Sequence, residues 1–253
     1  MNSYNVKAFD LLNNSQYSPT FAYSVVEERI KGQIHYDSLG QAAIIGTSSG
    51  IFFLVGDEKN SQVSEILLKL YEEQAMLNKR FTLFSSTSSW DMLILDTLRD
   101  NVKQLERYSF TYDFSTNIRE KSLPKEFSVS KMTSLTMKKS VEFTEEYIKE
   151  YWGSFANFHT SGFGYCILHE NNSISECVSI FRSKQFAEVD IATHLDFQGI
   201  GLATYVARLF IQHCVQEELI PRWECDVSNE SSIYLARKLG FINPIRYSIF
   251  IRN

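Results

Sequence analysis

A chain of 253 residues, 44% hydrophobic and 22% charged, holds enough apolar material for one large or two modest cores and excludes a disordered or fibrous protein. Its formal charge of −5 and pI of about 5.6, with no basic block, argue against nucleic acid as a partner. No stretch approaches the ~20 apolar residues that a membrane span needs.

Two lobes are expected, their cores packed with large rings, because 19 Phe and 13 Tyr contribute to an aromatic content of 14%. Cys166, Cys177, Cys214 and Cys225 stand singly in apolar-patterned segments, with no C-x-x-C pair and no His at zinc spacing. They read as reduced core residues, and no metal is expected. The N-terminus carries Asp10, Glu27 and Glu28 without a basic start and apolar run, which makes the cytoplasm the expected compartment.

From Ser3 to about Leu39 the sequence reads as helical: Val6, Phe9, Asp10 and Asn13 give a broken amphipathic pattern, and Phe21, Val25, Val26 and Ile30 a better one behind Ser18-Pro19. Ala42 to Thr47 and Ile51 to Val55, separated by Ser48-Ser49-Gly50, form a hairpin. Val63, Ile66, Leu67, Leu70, Tyr71 and Ala75 recur at helical steps between Ser61 and Asn78. Phe81 to Phe84 then reads as a strand, Ser88 to Gln104 as a helix, and Tyr108 to Phe114 as a strand with its aromatics on one face. This order predicts an α/β lobe, but no glycine-rich turn, charged pair or metal spacing in it declares an activity.

Ser115 to Lys125 is polar and ends in Leu123-Pro124, so the lobe boundary is expected near 120–125, dividing the chain into 1–122 and 123–253. Beyond it come a strand from Glu126 to Lys131, a helix from Thr144 to about Phe155, and a hairpin of Phe163 to Leu168 and Ile174 to Arg182 across His169-Glu170-Asn171-Asn172. A strand from Ala187 to Thr193 runs through a polar connection into a helix from about Gly201 to Glu217, with Leu202, Ala203, Val206, Leu209, Phe210 and Cys214 inward. Pro221 to Val227 is a strand, Ser231 to Leu239 a helix stopped by Gly240, and Tyr247 to Arg252 a closing strand.

The passage from Val189 to Thr204 is the most informative. Gly199 and Gly201 lie between strand and helix. The first amides of a helix lack intrahelical acceptors and sit at the positive end of its dipole, so they seat a phosphate, and glycine lets the backbone approach it closely. A dinucleotide site is the weaker reading, because the third glycine and a following acidic residue at the right distance are missing.

Gln198-x-x-Gly201-x-Ala203, followed by Asn229-x-x-Ser232-x-x-Leu235-x-x-Lys238-Leu239-Gly240-Phe241, resembles the two cofactor-binding motifs of the GNAT superfamily of N-acetyltransferases, with Gln198 where Arg is usual. The likeness extends from about Glu126 to Tyr247. Gly162 to Cys166, Ile191-x-Thr193, Pro221-x-Trp223-x-Cys225 and Ser232 to Phe241 look like the group typified by zwittermicin-resistance acetyltransferases. The resemblance implies a GNAT-like mixed sheet flanked by helices in the C-terminal half, beside an N-terminal α/β lobe, and acetyl-CoA as co-substrate. It also implies a pyrophosphate on the amides of Gly199, Ile200, Gly201, Leu202, Ala203 and Thr204, a pantetheine arm along Ile191, Ala192 and Thr193 like an added strand, and Asn229 and Ser232 on the cofactor's far side. Asn229 or Ser231 also reads as a helix cap.

Glu188 sits where many members carry a carboxylate that takes the amine proton, and Asp190 shares its strand face; two acids there also simply attract a cationic amine. The family's usual tyrosine acid falls at Ala236. Tyr234 is about 160° of helix rotation from that slot, at ~100° per residue, and reads as core packing. Trp223 reads as core, and His159, His169 and His194 as surface or loop residues. The expected activity is transfer of acetyl from acetyl-CoA to the primary amine of a small molecule, with a catalytically weak or inactive CoA-binding sensor as the alternative. The acidic charge leans toward cationic acceptors. The similar element order of the two halves suggests that the first is a degenerate copy of the second. No feature encodes the oligomeric state, and a homodimer is compatible with the composition.

Overall fold

The computed structural model describes residues 3–116, 122–140 and 142–253. Two compact units are present: Met1–Tyr108 with Ile245–Asn253, and Ser109–Pro244.

The first unit carries α1 (Ser3–Asn14), α2 (Thr20–Val26), β1 (Gly32–Tyr36), β2 (Ala42–Thr47), β3 (Ile51–Gly56), α3 (Gln62–Met76), β4 (Thr82–Ser85), α4 (Ser88–Leu98) and most of β5 (Val102–Tyr112). Strands β1, β2 and β3 pair antiparallel in turn, whereas β4 lies parallel to β3 because α3 carries the chain back over the sheet. Every residue of β2 is buried, as a central strand covered on both faces requires. Val63, Leu67 and Leu70 of α3 and Trp90, Ile94 and Leu98 of α4 form one core with Ile44, Phe52, Leu54 and Leu83.

The second unit follows with β6 (Phe127–Lys131), α5 (Ser134–Met137), α6 (Glu145–Trp152), α7 (Phe155–Ser161), β7 (Gly164–His169), β8 (Asn172–Arg182), β9 (Phe186–Thr193), α8 (Leu202–Gln216), β10 (Ile220–Asp226) and α9 (Glu230–Lys238); β11 (Phe241–Arg252) runs from this unit into the first. Strands β6 to β9 pair antiparallel in order, and β10 is parallel to β9 across the α8 crossover. Leu202, Val206, Phe210 and Cys214 recur at four-residue steps along α8 and are all buried, which packs that stripe on the sheet. Phe163 lies with its ring centroid 4.6 Å from that of Phe210.

Several elements differ from the sequence expectations. The N-terminal helical region ends at Val26; Glu28 then takes φ 61, and Gly32–Tyr36, expected in a helix, forms β1 against β2. The helical apolar period stops there, and pairing with the buried β2 decides the conformation instead. The helix expected to reach Gln104 stops at Leu98, where Arg99 adopts φ 50, and β5 begins at Val102. Gly153, at φ 76, splits the helix expected over Thr144 to Phe155 into α6 and α7. Glu170 and Asn171, at φ 49 and 65, make a two-residue turn between β7 and β8, as the right-handed twist of a hairpin favours.

The compact units group Ser109–Pro244 together and join Ile245–Asn253 to the first, because β5 and β11 each run across the division. The polar stretch expected to hold the boundary includes residues 117–121, which lie outside the described residues. All four cysteines are buried and none forms a disulfide. Among the described residues, no helix is long and apolar enough to cross a membrane.

Replacing Phe210, which is 0% exposed, by Ala opens a cavity under α8 and is expected to cost about 3–5 kcal/mol. A thermal melt followed by circular dichroism should show a lowered midpoint; an unchanged midpoint would mean that Phe210 does not hold α8 on the sheet.

Candidate functional site

The connection from β9 to α8 is built by short-range bonds. His194 Nδ1 accepts from the Asp196 amide at 3.3 Å, and Gln198 folds back so that its Nε2 donates to the Thr193 carbonyl at 3.1 Å. Gln198 therefore braces the turn. Gly199 and Gly201 follow at φ 79 and 96, a region that costs an L-residue roughly 1–2 kcal/mol. A Cβ at either would meet no atom within 4 Å, so backbone conformation rather than crowding demands glycine, and the space before these amides is open. Gly201 is the N-cap of α8 and provides no side-chain cap. The positive end of α8 thus faces open space beside the exposed Ile200. Lys238, on α9, donates from Nζ to Thr204 Oγ1 at 3.2 Å and brings a positive charge to this first turn. The two residues are 34 positions apart, and no spacing rule connects them.

The ladder between β9 and β10 covers only Phe186–Glu188 against Ile220–Arg222. Past Glu188, the β10-facing edge of Val189–Thr193 has no strand ladder among the described residues. A linear amide-bearing molecule has backbone groups to pair with there. The open glycine turn and the open strand edge are consecutive in the chain, so a ligand with an anionic group and an amide arm meets both.

On the α6 side of the sheet, Asp190 Oδ2 accepts from the Tyr147 hydroxyl at 2.5 Å, and its Oδ1 accepts from the Ile191 amide at 2.9 Å. Glu188, two residues earlier on the same face, is 9% exposed. Glu176 is a third carboxylate, one that its sequence position alone does not single out. The β8–β9 register sets it opposite Ala192, and Ser140 Oγ donates to its Oε2 at 2.7 Å. The detectable signal was an acidic residue inside the apolar run of a hairpin strand. Burial, and next the Asp190 charge, push the Tyr147 phenol well above its ordinary value, so it remains a donor to Asp190.

The second motif is largely occupied by structural bonds. Asn229 Oδ1 caps α9 through the Ser232 amide at 3.0 Å, and Ser232 Oγ accepts from Trp223 Nε1 at 2.9 Å. Trp223 is buried, as expected. Ala236 is fully buried, whereas Tyr234, expected in the core, is 69% exposed, since two residues along a helix turn a side chain to nearly the opposite face. Among the described residues, no group of three His, Cys, Asp or Glu side chains could hold a metal ion.

A raised phenol titrates late, and its protonated form is the one the fold favours. The stability from Tyr147 is therefore present below the ordinary tyrosine value of 10.0 and lost as pH rises through the higher folded value. In a difference titration of phenolate absorbance, Tyr147→Phe should remove a group that ionises only above that ordinary value; removal of one that ionises below it would contradict the Tyr147–Asp190 bond.

The family model for GNAT acetyltransferase matches residues 10–250. The uncharacterized N-acetyltransferase YdfB of Bacillus subtilis (strain 168) is 38% identical over 239 residues, spanning 94% of this chain and 92% of that protein. A GCN5-related N-acetyltransferase-like protein from Streptococcus suis 89/1591 superposes with a TM-score of 0.76 at 22% identity, covering 99% of this chain and 98% of the other. A tandem GNAT protein from the clavulanic acid biosynthesis pathway, solved without acetyl-CoA, gives a TM-score of 0.63 at 12% identity over 98% and 94% of the two chains. The two structures are alike in fold; the family match over nearly the whole length and the identity to the Bacillus relative go further, and by them this chain belongs to the GNAT acetyltransferase family.

Proposed function

We propose that the protein transfers an acetyl group from acetyl-CoA to the primary amine of a small molecule. The observation that carries this reading is the pair of left-handed glycines, Gly199 and Gly201, in front of an uncapped helix, continuous with an unladdered strand edge. On this reading the amides of Gly199 to Thr204 hold the pyrophosphate, with Lys238 adding charge, and the backbone of Ile191 to Thr193 holds the pantetheine arm. Gln198 and Asn229 act by fixing the turns on either side, and Ser232 by tying α9 to Trp223.

Acetyl-CoA supplies the activated acyl group as a thioester. Glu188 takes a proton from the acceptor nitrogen as its lone pair forms the C–N bond; the C–S bond breaks and the CoA thiolate takes a proton from water. Asp190, held by Tyr147, orients the nitrogen. A dedicated acid is not required, since orientation provides much of the rate. The likeness to zwittermicin-resistance acetyltransferases, the division into lobes at residue 122, and a cytoplasmic setting belong to the same proposal, the last supported by four buried thiols that form no disulfide.

The buried Ala236, in the slot of the usual tyrosine, favours a second reading in which the protein binds CoA as a sensor with little or no turnover. Thiol release over a panel of primary amines separates the two: release with at least one amine supports transfer, and saturable acetyl-CoA binding with no release on any amine supports the sensor.

Calorimetry should show saturable acetyl-CoA binding that is lost in Gly201→Glu, whose carboxylate enters the open anion seat; retained binding would contradict the site. Glu188→Gln is expected to lower kcat about 10²–10⁴-fold while changing acetyl-CoA affinity little. An unchanged kcat would remove Glu188 from the mechanism.

A further inference from the structure

Below the end of β9 lies a cleft of about 270 Å³, lined by Glu142, Ser173, Ile174, Glu176, Ala192 and Thr193 among others. Glu176 is 3% exposed. One of its carboxylate oxygens accepts from Ser140, and the other, Oε1, is buried with no hydrogen-bond partner. A carboxylate buried with half its acceptor capacity unused is costly, because a neutral hydroxyl does not replace the water it has lost. The charge is felt locally: the Cys166 thiol, across the β7–β8 ladder from Glu176, is pushed up to about 11, first by burial and then by the Glu176 charge. Glu142, exposed at residue level, adds a second acid to the lining, while Ile174 and Ala192 offer apolar wall. Protonated nitrogen on a short alkyl chain fits this set: its N–H groups satisfy the bare oxygen, its charge offsets two carboxylates, and its methylenes meet the apolar side.

Glu176 faces Ala192 across the ladder, and Asp190 is two residues earlier on β9, roughly 7 Å along the strand at ~3.3 Å per residue. A second nitrogen at that distance falls at the register position of Asp190, with Glu188 one further same-face step along the strand. We infer that the acceptor is a diamine-like small molecule that anchors one protonated nitrogen on Glu176 and Glu142 and presents its other nitrogen at Asp190, on the Glu188 side of the cleft. This rests on the acetyl-transfer reading for the second nitrogen only; the ammonium anchor stands on the cleft itself.

The test is calorimetry without acetyl-CoA, using unbranched α,ω-diamines of three to six carbons and the n-alkylamines of the same lengths. The parent protein should bind at least one diamine ten-fold or more tightly than its matched monoamine. Glu176→Gln, which keeps an oxygen for Ser140, should lose that preference, and Glu142→Gln should reduce it about three-fold. Equal affinity for diamine and monoamine in the parent, no binding of any diamine, or an undiminished preference in Glu176→Gln each overturns the inference. If Glu176→Gln melts far below the parent, Glu142→Gln decides in its place, and an unchanged preference there overturns it. The calorimetry is independent of the thiol-release assay: diamine binding with no CoA thiol release on any amine would fault the transfer reading and leave the anchor standing, and thiol release with no diamine preference would fault the anchor alone.

Discussion

The second unit depends on one conformational constraint: the chain must leave β9, turn through two left-handed residues and enter α8 with nothing closing the helix end. Gly199 and Gly201 meet that demand, and the open space around them means that their role is conformational. The consequence is electrostatic, since an uncapped helix directs its first amides and its dipole outward. The residues around the turn serve the same end. Gln198 fixes the turn to Thr193, Lys238 reaches Thr204 from α9, and the buried face from Leu202 to Cys214 holds α8 on the sheet. The strand before the turn carries Glu188 and Asp190 on the α6 side, so the proposed cofactor seat and the proposed acids share one element and one register.

The two units repeat a chain order. Each has antiparallel strands, a crossover helix and a strand parallel to the last: β1, β2, β3, α3 and β4 in the first, and β7, β8, β9, α8 and β10 in the second. The sheet of the first unit is therefore mixed in the same sense, which supports reading it as a degenerate copy. Where the second unit has Gly199 and Gly201, the β3-to-α3 connection has Gly56 followed by Asp57 and Glu58, and Glu65 lies in the first turn of α3. Negative side chains at that end repel a diphosphate, so the first unit has the crossover without the anion seat. This is a physical reason for the first half of the chain to show no chemical signature in its sequence.

The sequence made the second unit largely legible because its helix and strand periods were long and its glycines sat where a backbone needs them. α8, β9 and the glycine turn are local features, fixed by residues within a few positions of one another. β1 was not legible: Gly32–Tyr36 has no strong alternation, and it becomes a strand through pairing with β2. The Tyr147–Asp190 and Ser140–Glu176 bonds span 43 and 36 residues, and no spacing rule connects such distant positions. Tyr234 and Ser232 show the converse. Local pattern placed both on one helix, but only packing decided that the Ala236 face is the buried one, which turns Tyr234 outward, and that Ser232 is engaged by Trp223.

On the proposed reading, the amides from Gly199 to Thr204 and the β10-facing edge of β9 past Glu188 form one ligand seat. Hydrogen exchange read by mass spectrometry, with and without saturating acetyl-CoA, addresses those amides directly. Slowed exchange is expected in peptides covering Ile191–Thr193 and Gly199–Thr204 together. Slowing elsewhere with none over Gly199–Thr204 would contradict it.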